Sequence, residues 1–197
     1  MSAITSIQVI YLLAYAVLHS LLASRQFKDL IWHILGPDMD RWYLKYFSIL
    51  AAFAIAPMVL LFSLSPGRKL YVVPRPWRWL MVTGQILASI ATMMAFTDAP
   101  HRFSISQQLG KAKIVEHLKP RGIYRFMRDP FLLGGLLQMW LTPFMTTQLF
   151  VLYSIASAYL FLGSLHWERR LHYQFGKEYE NYQKAIPRLP LRLWKSK

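Results

Sequence analysis

An all-α, polytopic membrane fold is predicted by three features of the sequence: its apolar composition, its long apolar blocks, and the clustering of its basic residues in the stretches between and after them. Of 197 residues, 55% are hydrophobic and only 16% charged, too apolar a balance for an ordinary soluble domain of this size. The formal net charge of +14 would suit a nucleic-acid partner if it formed one basic face. It is instead broken up by the apolar blocks, which argues for no nucleic acid and for a lipid bilayer as the first partner. There is no cysteine, so a disulfide framework, a thiolate metal site and a cysteine nucleophile are all excluded.

A bilayer crossing needs about 20 apolar residues. The blocks from Ile4 to Ala23, Tyr43 to Leu64 and Trp77 to Phe96 each meet that length. A fourth, from Phe131 to Leu165, is about 35 residues long, too much for one crossing. It is interrupted by "TPFMTTQ", residues 142 to 148. A proline among threonines predicts two short helices joined by a tight turn, hence about five spans. The opening "MSAITS" carries no charge, while Arg25 and Lys28 follow the first block. This predicts a retained anchor with its N-terminus outside. Alternating from there, the inner stretches hold Arg25, Lys28 and Arg41, then seven basic residues from Arg102 to Arg128 and eight from Arg169 to Lys197, against four outside, Arg68, Lys69, Arg75 and Arg78. The C-terminus is therefore expected in the cytosol.

One domain is expected: three spans in residues 1–96, a polar inner segment in 97–130, a helical hairpin in 131–165 and a tail in 166–197. Residues 65–77 read as a proline-broken loop. In the tail, Glu168, Leu171, Phe175, Tyr179 and Tyr182 recur at spacings of three and four, the pattern of an amphipathic helix. Gly176 offers a hinge in it, and Pro187 and Pro190 its end.

The hairpin brings its two ends together, so Arg128 and Asp129 at the entrance should meet Trp167 and Glu168 at the exit. Ionisable groups gathered at a membrane boundary suit a site for a polar small molecule. Plain interfacial anchoring by Arg, Trp and Tyr explains them as well, and spacing alone leaves both open. If their segment is helical, Arg121, Arg125 and Arg128 share a face, while Arg169 and Arg170 point about 100° apart. His19, inside the first block, suits an interhelical hydrogen bond. The spacing of His101, His117, His166 and His172 matches no zinc motif, and no metal is expected. Asp98 faces either the site or the cytosol. Gly134 and Gly135 suit close helix packing.

The entrance stretch "GIYRFMRDP", residues 122–130, resembles the G-[IL]-Y-x-x-x-R-H-P signature of integral membrane methyltransferases, the group of isoprenylcysteine carboxyl, phospholipid and methanethiol S-methyltransferases. The exit stretch "ERRLHYQFGKEYENYQKAIPRLP", residues 168–190, is similar to the E-x-x-L-x-x-x-F-G-x-x-Y-x-x-Y pattern of the same family, which a proline closes. The resemblance covers roughly half the chain. "LHSLLAS" (18–24) and "WLTPFMT" (140–146) look more like the methanethiol branch than the prenylcysteine branch.

The resemblance implies S-adenosylmethionine bound on the cytosolic side, beneath an acceptor site open to the membrane. Carried over residue by residue, the cofactor-binding positions are Gly122, Ile123, Tyr124, Arg128, Asp129, Pro130 and Glu168. The backbone of "VEHLK", residues 115–119, runs alongside and brings in His117 and Leu118. Arg128 and Glu168 take the catalytic roles. The chain departs from the signature at Asp129, where the family carries histidine, and at Leu132, where it often has tyrosine. A carboxylate accepts hydrogen bonds but cannot donate as a neutral imidazole can. The implied reaction is methyl transfer to a small or lipophilic acceptor: a thiol, a prenylcysteine carboxylate or a lipid amine. A thiol or amine needs a base, for which His101 and His117 are candidates. The alternatives are a non-catalytic accessory protein that keeps the fold, and a nicotinamide-dependent membrane reductase.

Overall fold

The structure, a computed structural model, describes residues 3–64, 67–99, 105–109, 111 and 117–190. Its helices are α1 (Ala3–Ala23), α2 (Arg25–Leu35), α3 (Met39–Leu64), α4 (Arg75–Asp98), α5 (Ile105–Gln108), α6 (Pro130–Trp140), α7 (Thr147–Phe175) and α8 (Lys177–Ala185), with short 3-10 turns at Gly36–Asp38 and Gly122–Arg125. Two strands, β1 (Lys69–Val72) and β2 (Phe144–Thr146), pair in a small sheet. Among the described residues, four helices are long and apolar enough to cross a membrane, over Thr5–Ala23, Lys45–Leu64, Arg75–Asp98 and Thr147–Phe175. The protein is thus an all-α membrane protein. Its polarity is inverted accordingly: Leu87, Ile90 and Met93 on α4 are exposed, while Gln8, Lys28, Asp129 and Glu168 are buried.

The chain forms two compact units. The first comprises residues 1–70, 101–115 and 145–152. In it α1 and α3 run antiparallel, because Gln8 Nε2 donates to Leu61 O (3.2 Å), Tyr11 OH to Ala54 O (2.5 Å) and Tyr43 OH to Leu22 O. His19 packs between Tyr15 and Phe47. Between these helices lies α2, absent from the sequence-based expectation. Ser24 caps it, accepting from Phe27 N at 3.2 Å. Ile31 and Trp32 pack on Met39, Ile105 and Leu109. Leu30, Ile34 and Leu35 stay exposed, an amphipathic arrangement suited to a membrane interface.

The second unit comprises residues 71–100, 116–144 and 153–197. Its centre is α4 packed against α6. At 11 residues, α6 is about 16 Å long, half of a bilayer core. Its side chains descend α4 in order. Phe131 meets Phe96 edge-on at 4.8 Å, a Cβ on Gly134 would lie 2.0 Å from Thr92 Oγ1, Gln138 bonds Gln85 and Ser89, and Leu141 reaches Gly84. Beyond Trp140 the chain leaves the helix through a turn into β2 and follows the strand and loop that lead into α4. Tyr71 OH donates to Thr142 O (3.3 Å) and Val73 N to Pro143 O (2.9 Å). The expected hairpin is present, but its first arm is helix followed by a turn and the short strand β2. Such backbone is tolerated at membrane depth only where protein satisfies its polar groups, and Thr142 is accordingly buried, with its hydroxyl 3.2 Å from Tyr153 OH.

The second arm also differs from expectation: α7 runs unbroken from Thr147 to Phe175, so the predicted tail helix is its continuation. The break comes at Gly176, whose φ of +50° suits glycine.

Gly134 sets the closeness of α4 and α6. A leucine there must displace Thr92 from its 2.8 Å bond to Ala88 O. We expect Gly134→Leu to cost about 1–3 kcal/mol, read as a lowered unfolding midpoint in detergent. Gly163→Ala, which meets open space, should leave the midpoint at or slightly above the wild-type value.

Candidate functional site

The entrance motif lies across the C-terminal end of α4. Asp98 ends that helix, and its Oδ2 accepts from Ile123 N at 3.0 Å. Gly122 has φ +49°, and a Cβ on it would sit 1.9 Å from Asp98 Oδ2. Both facts require glycine here. Asp98 therefore holds the motif, which settles its open orientation. Tyr124 is buried with Ala95 and Ala99; its hydroxyl donates to Ala95 O (3.3 Å) and its carbonyl accepts from Tyr182 OH (2.6 Å). The Gly122–Arg125 turn is 3-10, not α-helical. The face imagined for Arg121, Arg125 and Arg128 does not form; Arg121 and Arg125 are exposed while Arg128 turns inward.

Asp129 supplies the N-cap of α6, its Oδ1 accepting from Leu132 N at 3.0 Å, with Pro130 opening the helix. An aspartate in place of the signature's histidine is well suited to this position, since a short acceptor satisfies a free helix N–H.

Across from it, Glu168 is buried on α7 and carries an arginine on each oxygen: Arg128 Nη1 donates to Oε1 and Arg188 Nη2 to Oε2. The meeting of hairpin entrance and exit, inferred from connectivity, is thus realised as a direct ion pair. Arg188 was not foreseen. It follows α8 in "IPRLP", and the backbone there is bonded to the entrance motif, Arg128 N to Pro187 O (2.9 Å) and Asp129 N to Arg188 O (3.1 Å). The Nε atoms of both arginines are buried without a hydrogen-bond partner among the described residues.

Below this cluster Leu171, Tyr179 and Tyr182 form a small core with Leu118, Trp167, Phe175 and Ile186 against it. Burial and the nearby Glu168 carboxylate push the Tyr179 hydroxyl up to about 12, with Arg128 opposing. His117 and Leu118 are tied to α8: Glu178 contacts His117 Nδ1 at 2.8 Å and accepts from Leu118 N at 2.9 Å. These bonds, to His117 first and Leu118 second, hold the Glu178 carboxyl below its ordinary value. His172 pairs with Glu180 at 3.1 Å. His101 and residues 115–116 lie outside the described residues. Among those described, no group of three or more metal-ligating side chains comes together.

These features define a class: a multi-span membrane protein whose buried ion cluster joins the two ends of a helical hairpin. Particular relatives follow from its sequence. The chain is 23% identical to methanethiol S-methyltransferase 1 of Bradyrhizobium diazoefficiens, across 93% of this chain and 65% of that protein. It is 26% identical to methanethiol S-methyltransferase 2 of the same organism, across 91% and 70% respectively. It is likewise 26% identical to the methanethiol S-methyltransferase of Crocosphaera subtropica, across 89% and 70%. The chain thus spans about two thirds of the length of the relatives it matches. No family model matches it, and no solved structure does. The resemblance to integral membrane methyltransferases carried by the two motifs extends over nearly the whole chain.

Because the Glu178 carboxyl is lowered in the fold, its contribution is complete above the ordinary value of 4.5 and is lost as pH falls through the lowered one. We expect amide-exchange protection at Leu118 to persist from neutral pH down to 4.5 and collapse below it, and to be weak at every pH in Glu178→Ala. At Gly122, an alanine is strained by about 1–2 kcal/mol in the left-handed region and also strikes Asp98, so Gly122→Ala should lower the unfolding midpoint more than Asp98→Asn does.

Proposed function

We propose that this protein is a membrane-embedded methyltransferase that moves a methyl group from S-adenosylmethionine to a small or lipophilic acceptor, with a thiol such as methanethiol favoured over a prenylcysteine carboxylate or a lipid amine. The observation that carries the reading is the convergence of both motifs on the Arg128–Glu168 pair, in a chain similar along nine-tenths of its length to proteins named methanethiol S-methyltransferase.

The residues present fit the donor. S-adenosylmethionine supplies a methyl group on a sulfonium, so that an acceptor lone pair displaces a neutral thioether. Arg128 takes the donor's carboxylate with the N–H groups that Glu168 and the Tyr179 hydroxyl leave unspent, among them the buried, unpartnered Nε. Glu168 fixes that guanidinium by pairing with one edge of it. The Gly122–Tyr124 backbone and Leu118 form the wall, and Trp167 packs on the core below, its ring carrying the Arg170 guanidinium at 5.3 Å. Because the leaving group departs neutral, alignment and exclusion of water dominate; near-attack positioning supplies up to about 7–11 kcal/mol in favourable systems. A thiol must also lose its proton, and His117, exposed at the edge of the segment and held by Glu178, is the base we assign. The acceptor enters from the bilayer along the apolar "FLLGGLLQMW" of α6. We place the N-terminus outside and the site with the C-terminus in the cytosol, on the basic-residue asymmetry.

Binding of S-adenosylhomocysteine to the purified protein, read by calorimetry, tests the donor. We expect a defined heat, weakened by about 2 kcal/mol or more in Arg128→Ala and Glu168→Ala and unchanged in Arg125→Ala. No heat from folded wild-type protein would sink the reading, and heat with NADPH instead would favour a reductase. Labelled-methyl transfer should go to a small thiol in preference to a prenylcysteine or an aminophospholipid. A reporter fused after Lys197 should be cytosolic and one inserted at Thr146 external.

A further inference from the structure

The ion cluster holds one more group than the reading above uses. Glu168 and Asp129 bring two negative charges, with 8% and 3% of their surfaces exposed. Arg128 alone would leave the cluster one charge short, and an uncompensated buried charge is strongly destabilising. Arg188 makes the count even. Its guanidinium bonds the Glu168 oxygen that Arg128 does not, its carbonyl accepts from Asp129 N, and its cation lies 5.7 Å from the Phe161 ring. Hydrogen bonding to Glu168 holds its pKa above the ordinary arginine value, with burial opposing and the charges of Glu168 and Asp129 adding.

We infer that Arg188 is a positioning residue for the donor site: it neutralises the Asp129–Glu168 pair and occupies one oxygen of Glu168, so that Arg128 pairs with Glu168 through one nitrogen and keeps the donors that neither Glu168 nor the Tyr179 hydroxyl takes for an anionic ligand group. This rests on the methyltransferase reading for the identity of the ligand, but the charge arrangement does not. A guanidinium facing a whole carboxylate takes both oxygens in a bidentate pair. With one oxygen already held by Arg188, that grip is closed to Arg128. In the Arg188→Gln protein, Glu168 is free to draw Arg128 into the bidentate pair, and the cluster carries an excess negative charge facing an anionic group. Both effects oppose binding.

The structure also supplies the compensating change. Asp129→Asn removes the excess charge while its side-chain oxygen still caps α6, asparagine being as good a cap as aspartate. A residue whose contribution is only the backbone bonds at 187 and 188 would show no such compensation, because neither substitution alters those carbonyls.

The experiment is a double-mutant cycle on the full chain in lipid nanodiscs: wild type, Arg188→Gln, Asp129→Asn, the double variant and Arg188→Lys. Unfolding midpoint, S-adenosylhomocysteine affinity and the methyl-transfer kcat and KM are read for each. We expect Arg188→Gln to lose roughly ten- to hundredfold in affinity and a comparable factor in KM for the donor, with kcat reduced less. The double variant should recover most of the loss in both midpoint and affinity, and Arg188→Lys part of it. Wild-type affinity in Arg188→Gln, or a double variant as impaired as the two single losses combined, would overturn the inference. If the wild type binds no S-adenosylhomocysteine, the methyltransferase reading fails by itself, and the midpoints still decide the charge pairing: recovery in the double variant supports it and additivity refutes it.

Discussion

A carboxylate buried at the end of a membrane helix has to be met by positive charge, and the second unit is built around meeting that of Glu168. The two arginines come from opposite sides of the hairpin. Arg128 precedes α6, and Arg188 follows α8. Pairing them on one carboxylate joins entrance, exit and tail directly above the small core of Leu171, Tyr179 and Tyr182. The backbone bonds of Arg128 and Asp129 to residues 187 and 188 lie beside the ion pairs, so charge and main chain hold the same junction. Buried pairs of this kind contribute little net stability beyond a hydrophobic replacement, but they are intolerant of losing one partner. Their value is in specifying where the segments meet.

The half-helical arm of the hairpin has a related logic. An uninterrupted helix from Pro130 would carry Leu141 to Thr146 around the helix axis and away from α4. The non-helical turn after α6 instead keeps Thr142 and Pro143 within reach of Tyr71 and Val73. The Thr142 carbonyl thus released accepts from the Tyr71 hydroxyl, the Thr142 hydroxyl meets that of Tyr153, and Thr146 takes up the amide of Leu149 in the first turn of α7 at 3.2 Å. Glycines at 84 and 134 allow the close approach along the rest of α4.

Much of this was legible in the sequence, for reasons tied to particular residues. The spans were visible because membrane helices must be continuous and apolar, and the hairpin because Pro143 interrupts a run too long for one crossing. Arg128 and Glu168 could be placed together from connectivity and from the motif. The helix α2 was not legible to a search for long apolar runs: 11 residues with Arg25, Lys28 and Asp29 among them announce themselves only by helical periodicity. Arg188 was hidden for another reason. Flanked by Pro187 and Leu189-Pro190, it reads as the stop signal of a helix, and nothing local shows that the chain turns back to a buried carboxylate. The role of Asp129 could have been anticipated, since Asp-Pro at a helix start is a capping pattern.

In chain order, Arg188 comes after every other member of the cluster. Synthesis from the N-terminus therefore places α4, α6 and α7 before the cation that completes their junction exists. Through that interval Asp129 and Glu168 share Arg128 alone, and the cluster carries a net negative charge. The hairpin can enter the membrane in this state, but its polar end has reason to stay hydrated until the tail folds back. Assembly of the site is thereby ordered in time, with insertion first and dehydration last.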